Sequence, residues 1–170
     1  MEKVLRIIDR MSEWTGKGAS YLVMAMVLCI MYEVVMRYFF DRPQTWVFDT
    51  TYMLYGAHAM LGAAYCHYTK GHVRMDLLYG RLRPRTQAIV DVVCYLLLFF
   101  PLFIVLVYKI GGHALWAVSY GERASASSWR PILGPFKLAI ALGVVLFFLQ
   151  GIADFIRSLY VAVKGASHES

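Results

Sequence analysis

The chain has 170 residues, 59% of them hydrophobic, and a mean hydropathy of +0.54, which is too apolar for an ordinary soluble domain. Its net charge of +6 is clustered between long uncharged windows, so the basic excess reads as membrane topology and headgroup contact, not as a nucleic-acid surface. The three cysteines, Cys29, Cys66 and Cys94, lie in apolar surroundings without a CxxC, and read as small buried hydrophobes instead of disulfides or metal ligands.

Residues 1–14 place Val4, Ile7, Ile8, Met11 and Trp14 on one helical face, with charges on the rest. This segment is either an amphipathic interfacial helix or the extension of the first span. Its mixed charge and the lack of a small-residue cleavage pattern argue against a signal peptide, so the first apolar helix is expected to be retained. A bilayer core about 30 Å thick takes roughly 20 helical residues to cross. Four windows are long enough, at about 19–40, 46–68, 88–120 and 132–160. The expected fold is therefore all-α: one membrane domain over 1–170 with four transmembrane helices. Four crossings put 11 Lys and Arg residues on the side shared by the termini and the middle loop, against 6 on the other. The positive-inside rule then places both termini in the cytoplasm.

Within the first window Glu33 and Arg37 stand four apart, acid first, the favourable order for a pair on one helix face. Three readings are open: an ion pair anchored at the interface, a contact fixing the register of a partner helix, or a step in an ion path. Pro43 stops this helix in a turn so short that the second must run antiparallel beside it. Trp46 fits the aromatic belt of a membrane interface. Asp49 either caps the second helix or takes part in docking. The second helix is the least lipid-like. Thr51, Tyr55, His58, Gly62, Tyr65 and Thr69 recur at helical spacing, with small Gly56, Ala59 and Ala63 beside them. Membrane helices pack through such residues, which predicts burial against protein on more than one side. His58 reads as a hydrogen-bonded packing histidine.

The middle loop carries "GHVRMDLLYGRLRPR", with Arg74 and Asp76 in an amphipathic turn whose default role is headgroup binding. The third helix, "VVCYLLLFFPLFIVLVY", is apolar all round with a kink expected at Pro101. The following loop holds Glu122, Arg123, Trp129, Arg130, Pro131 and Pro135, a composition suited to a rigid re-entry at the interface. In the fourth helix Ala139 and Gly143 have small-xxx-small spacing, with Gly151 beyond.

Reaction chemistry finds little footing. A haem would need His58 and His113 as ligands at similar depth on facing helices, but on this topology they differ in depth by several residues. HxxxH, HExxH and CxxC are absent, as are a phosphate-binding loop and a dinucleotide fingerprint. No enzyme, and no cofactor in this chain, is expected.

The pieces in order, "YEVVMRYFF", then "WVFDTTYMLYGAHAMLGAAY", "GHVRMDLLYGRLRPR" and "WRPILGPFK", resemble the small permease subunit of tripartite ATP-independent periplasmic (TRAP) transporters, the DctQ-like family. The resemblance spans about residues 11–157. Many relatives carry paired acids close behind the Trp, whereas here only Asp49 follows. The resemblance implies a bacterial inner-membrane subunit that scaffolds a large multi-spanning permease and helps dock a periplasmic substrate-binding protein. It implies sodium-coupled uptake of an organic acid, with sodium and substrate on the large subunit. Glu33, Arg37, Trp46, Asp49, His58, Arg74, Asp76, Trp129 and Arg130 are the candidate partner or lipid contacts. The competing classes are a haem-bearing anchor of a redox complex and a self-sufficient small oligomeric transporter.

Overall fold

The computed structural model describes residues 2–69, 84–125 and 128–164. Five α-helical segments account for nearly all of them: α1 (Glu2–Phe40), α2 (Thr45–Tyr68), α3 (Pro84–Cys94), α4 (Phe100–Ser119) and α5 (Gly134–Lys164). A π-helical turn, Tyr95–Phe99, joins α3 to α4 as one rod. Among the described residues the only strand-like pairing is an isolated antiparallel bridge between Arg123 and Ile132.

α1 is a single helix of 39 residues, so the amphipathic lead and the first apolar window form one continuous element. No proline or left-handed residue interrupts it before Asp41, which takes φ 53, a conformation common just past helix ends. The Arg42 N–H folds back to the Met36 carbonyl at 3.0 Å, and Pro43 prevents the helix from resuming.

The hydrogen-bonding pattern of the rod changes in the turn before Pro101. Pro101 has no N–H to give the Leu97 carbonyl, and its ring crowds that carbonyl. The preceding turn relaxes to i→i+5 bonding, with the Phe100 N–H bonded to the Tyr95 carbonyl. Such π turns are a usual cause of kinks in long helices.

α5 packs against every other helical segment, and α2 lies against both α1 and α5. Two close approaches set these distances. A Cβ at Gly143 would lie 2.7 Å from the Met60 carbonyl carbon, so the α2 and α5 backbones nearly touch. A Cβ at Gly16 would run into the Tyr65 side chain, so α1 meets α2 through that ring. Further along α5, Phe99 covers Gly151, and Phe99, Phe103, Phe147 and Phe148 stack into an aromatic seam between the rod and α5.

Among the described residues three helices are long and apolar enough to cross a membrane: Leu5–Phe40, Thr86–Ser119 and Gly134–Val163. α2 falls short of that standard despite its 24 residues, which differs from the four windows expected. The cause is its row of Thr, Tyr and His side chains. The threonines and the histidine are accommodated by protein, whereas Tyr52 and Tyr55 stay exposed: Thr50 and Thr51 bond to carbonyls one turn back at 2.8 and 2.7 Å, and His58 Nδ1 donates to the Ala19 carbonyl of α1 at 3.0 Å.

Candidate functional site

Polar and aromatic side chains gather at the two ends of the helix array. At the turn end, the α1–α2 turn and the α4–α5 connection meet. Trp46, in the first turn of α2, lies between Tyr32 of α1 (ring centroids 5.8 Å apart) and Trp129 of the connection (6.4 Å). Its indole N–H donates to Gln44 Oε1 at 3.2 Å. Two of the candidate residues, Trp46 and Trp129, are thus brought together from positions more than eighty residues apart in sequence.

The connection itself is a hydrogen-bonded hairpin. Gly121 turns it at φ 59, Leu133 N–H donates to the Glu122 carbonyl at 2.9 Å, and Ala124 N–H to the Pro131 carbonyl at 3.0 Å. Lys137 of α5 pairs with the Glu122 carboxylate and also reaches His113 Nδ1 of α4 at 3.2 Å. His113 is therefore engaged at the hairpin while His58 is bonded to α1. Arg130, at the tip, takes φ 48, a left-handed conformation costly for a side chain of this size.

Beside the hairpin, residues of α2 and α5 line a groove of about 580 Å³. Met53, Leu54 and Ala57 form one wall, and Phe136 and Ala139 the other. Arg123, Trp129 and Arg130 also line it.

Glu33 and Arg37 form the pair that their spacing suggests: Arg37 Nε and Nη2 donate to Glu33 Oε1 at 2.9 and 2.6 Å. Glu33 keeps 15% of its side chain exposed and Arg37 58%, so the cation reaches outward from a largely covered acid. Asp49 does not cap α2. That position belongs to Gln44, in extended conformation at φ −103, and Asp49 falls beyond the first turn. Arg74 and Asp76 lie outside the described residues.

The opposite end holds a network that sequence reasoning missed. Ser12 and Gln150 are fully buried, and Ser12 Oγ donates to Gln150 Oε1 at 3.1 Å. Gln150 Nε2 donates to Asp9 Oδ1 at 3.1 Å. Arg157 bridges two acids, with Nη2 donating to Asp9 Oδ2 at 2.6 Å and Nη1 to Asp154 Oδ1 at 2.9 Å. Asp154 Oδ2 lies 3.3 Å from His67 Nε2, which is 3.2 Å from the Tyr95 hydroxyl. α1, α2, the π turn and α5 are joined through these side chains. Buried polar groups are tolerated in an apolar array when each finds partners, as these do. Arg157 and Asp9 look like ordinary headgroup charges in sequence. The one available signal was the i, i+3 spacing of Asp154 and Arg157.

Among the described residues no three His, Cys, Asp or Glu side chains converge in a group able to hold a metal ion. Side chains that join helices to one another, set in long apolar helices with an aromatic-rich end, define a polytopic α-helical membrane protein. The family described as tripartite ATP-independent periplasmic transporters, DctQ component, matches residues 26–160, and the chain belongs to that family. It is accordingly a small component of a TRAP transporter, a system that works with partner subunits. A comparison with curated proteins gives no match.

Proposed function

We propose that the chain is a static scaffold for the large permease subunit, helping to dock the periplasmic binding protein during sodium-coupled uptake of an organic acid. The observation that carries this reading is the outward apolar surface. Met24, Leu28, Met31 and Val35 on α1, and Leu97, Leu102 and Val105 on the rod, are exposed. Their apolar length exceeds what the chain buries within itself, which suits a helix array completed by lipid and a larger membrane partner. Sodium and substrate sites belong to that partner in this reading, and the polar groups here serve packing.

The same reading has α2 as a fourth crossing. At 1.5 Å per residue its 24 residues reach about 36 Å, and α1 and α5 flank it, partly covering Thr51 and His58 while Tyr55 and Tyr65 stay exposed on the side open to lipid or a partner. Both termini then face the cytoplasm of the bacterial inner membrane, with the network end inside and the turn end toward the periplasm. The test is affinity capture of the tagged chain from native membranes in mild detergent, followed by mass spectrometry. Stoichiometric recovery of a large many-spanning subunit is expected. Recovery of this chain alone would favour an autonomous oligomer.

Glu33 is the sharpest single probe of the scaffold surface. An i, i+4 pair whose cation is 58% exposed contributes about 1 kcal/mol even with its acid largely covered, so Glu33→Ala leaves the isolated chain folded. Co-purification of the large subunit and substrate uptake are both expected to fall. Unchanged yield and uptake would remove Glu33 from the interface.

A further inference from the structure

We propose that the groove between α2 and α5 holds one phospholipid, its phosphate bound by Arg123 and Arg130 and an acyl chain lying along Leu54, Ala57 and Ala139. The volume, about 580 Å³, lies within the roughly 300–1,000 Å³ usual for small-ligand sites. Its walls are largely apolar, and Arg123 and Arg130 are the two charged residues among those lining it, each with the planar guanidinium fork that matches phosphate oxygens. Neither arginine is ion-paired among the described residues, and the neighbouring Glu122 carboxylate is already held by Lys137.

Arg130 is also fixed in place. It occupies the left-handed region at φ 48 beside buried Pro131, on a hairpin closed by backbone hydrogen bonds. Strained geometry of this kind persists where surrounding structure enforces it, often at ligand clamps. Trp129, half exposed beside it, matches the indole position of a membrane interface, which puts the arginines at headgroup depth. An occupant must therefore be anionic at the arginines and apolar elsewhere. A free anion leaves the walls uncovered, and a lipid of the adjacent leaflet satisfies both parts.

The experiment is native mass spectrometry of the full chain in mild detergent, titrated with palmitoyl-oleoyl phosphatidylglycerol. One retained lipid per chain is expected. The Arg123→Gln/Arg130→Gln variant should need at least tenfold more lipid for half occupancy, since the loss of one charge-assisted hydrogen bond alone is on the order of tenfold. Ala57→Phe, which fills the groove, should weaken binding similarly while circular dichroism shows the helices intact. Diacylglycerol with the same chains should bind poorly. Arg42→Gln, an exposed arginine in the other turn, should bind as the unaltered chain does. The proposal is overturned if the double variant retains full affinity, if Arg42→Gln weakens binding as much as the double variant, or if diacylglycerol binds equally well. None of these readouts needs a partner subunit or transport, so their failure leaves the scaffold reading standing.

Discussion

A single methyl group added at Gly143 is expected to destabilise the folded chain by about 2 kcal/mol, while the same methyl at Gly62 costs nothing measurable. The two glycines sit on facing helices and differ in what lies before them. The new Cβ at Gly143 would stand 2.7 Å from the Met60 carbonyl carbon and 2.8 Å from its oxygen, both backbone atoms. No rotamer change relieves that overlap, so α2 and α5 must separate and forfeit contacts along their length. At Gly62 nothing lies within 4 Å of the added atom. There the helix propensity of alanine, about 1 kcal/mol better than glycine in soluble helices, leaves Gly62→Ala neutral or slightly stabilising. The check is the unfolding midpoint of each variant in a denaturing-detergent titration followed by circular dichroism. Equal midpoints for Gly143→Ala and the unaltered chain would mean that α2 and α5 do not approach this closely.

The second large effect belongs to Arg157. Replacing it by glutamine removes the cation from between Asp9 and Asp154, whose side chains are only 18% and 14% exposed. Breaking a fully buried pair costs about 3–5 kcal/mol, and an exposed pair less than about 1. Arg157 is 40% exposed, which places the expected loss at about 1–2 kcal/mol. Asp9 keeps Gln150 and Asp154 keeps His67, so neither acid is wholly abandoned. A double-mutant cycle with Asp9→Asn isolates the direct term. If Asp9 and Arg157 interact as their 2.6 Å separation indicates, the double variant is more stable than the sum of the single losses predicts. Strict additivity would show that the contact contributes nothing. Hydrogen exchange adds a spatial check, because loss of this bridge should release the first turns of α1 before the rest of the molecule.

The contrast between these two sites also explains what was readable from the residues alone. Apolar windows, the stop at Pro43 and the Glu33–Arg37 spacing are local signals, and local signals survive in a linear string. The packing role of α2 was visible too, because a helix with threonine, histidine and glycine at regular intervals gains little from lipid. Its shortfall in apolar character was the same fact seen from the other side. The Asp9–Gln150–Arg157 network was not legible, since its partners lie 138 to 148 residues apart and each resembles a headgroup contact when viewed singly. The Asp49 cap failed for a smaller reason. Several polar residues precede the second helix, and only the backbone geometry at Gln44 decides which of them stands at its first turn. Nor could the residues of the hairpin announce that Arg123 and Arg130 share a groove with Ala57, because its walls come from both α2 and α5.

The position of α5 in the array bears on how the chain is made. It touches every other helical segment, yet it follows all of them in the chain. A ribosome adding about 5–20 residues per second delivers the earlier helices to the bilayer well before their common neighbour emerges. Through that interval α1 and α2 can pair as a hairpin, while among the described residues the rod meets them chiefly through the His67–Tyr95 and His67–Phe99 contacts. Asp9 and Ser12 must meanwhile wait at the headgroups for Gln150 and Arg157. Biogenesis therefore has a late commitment step, in which insertion of α5 converts a loosely tethered set of helices into a single body. Quality control that samples nascent membrane proteins would find its most exposed target just before that step.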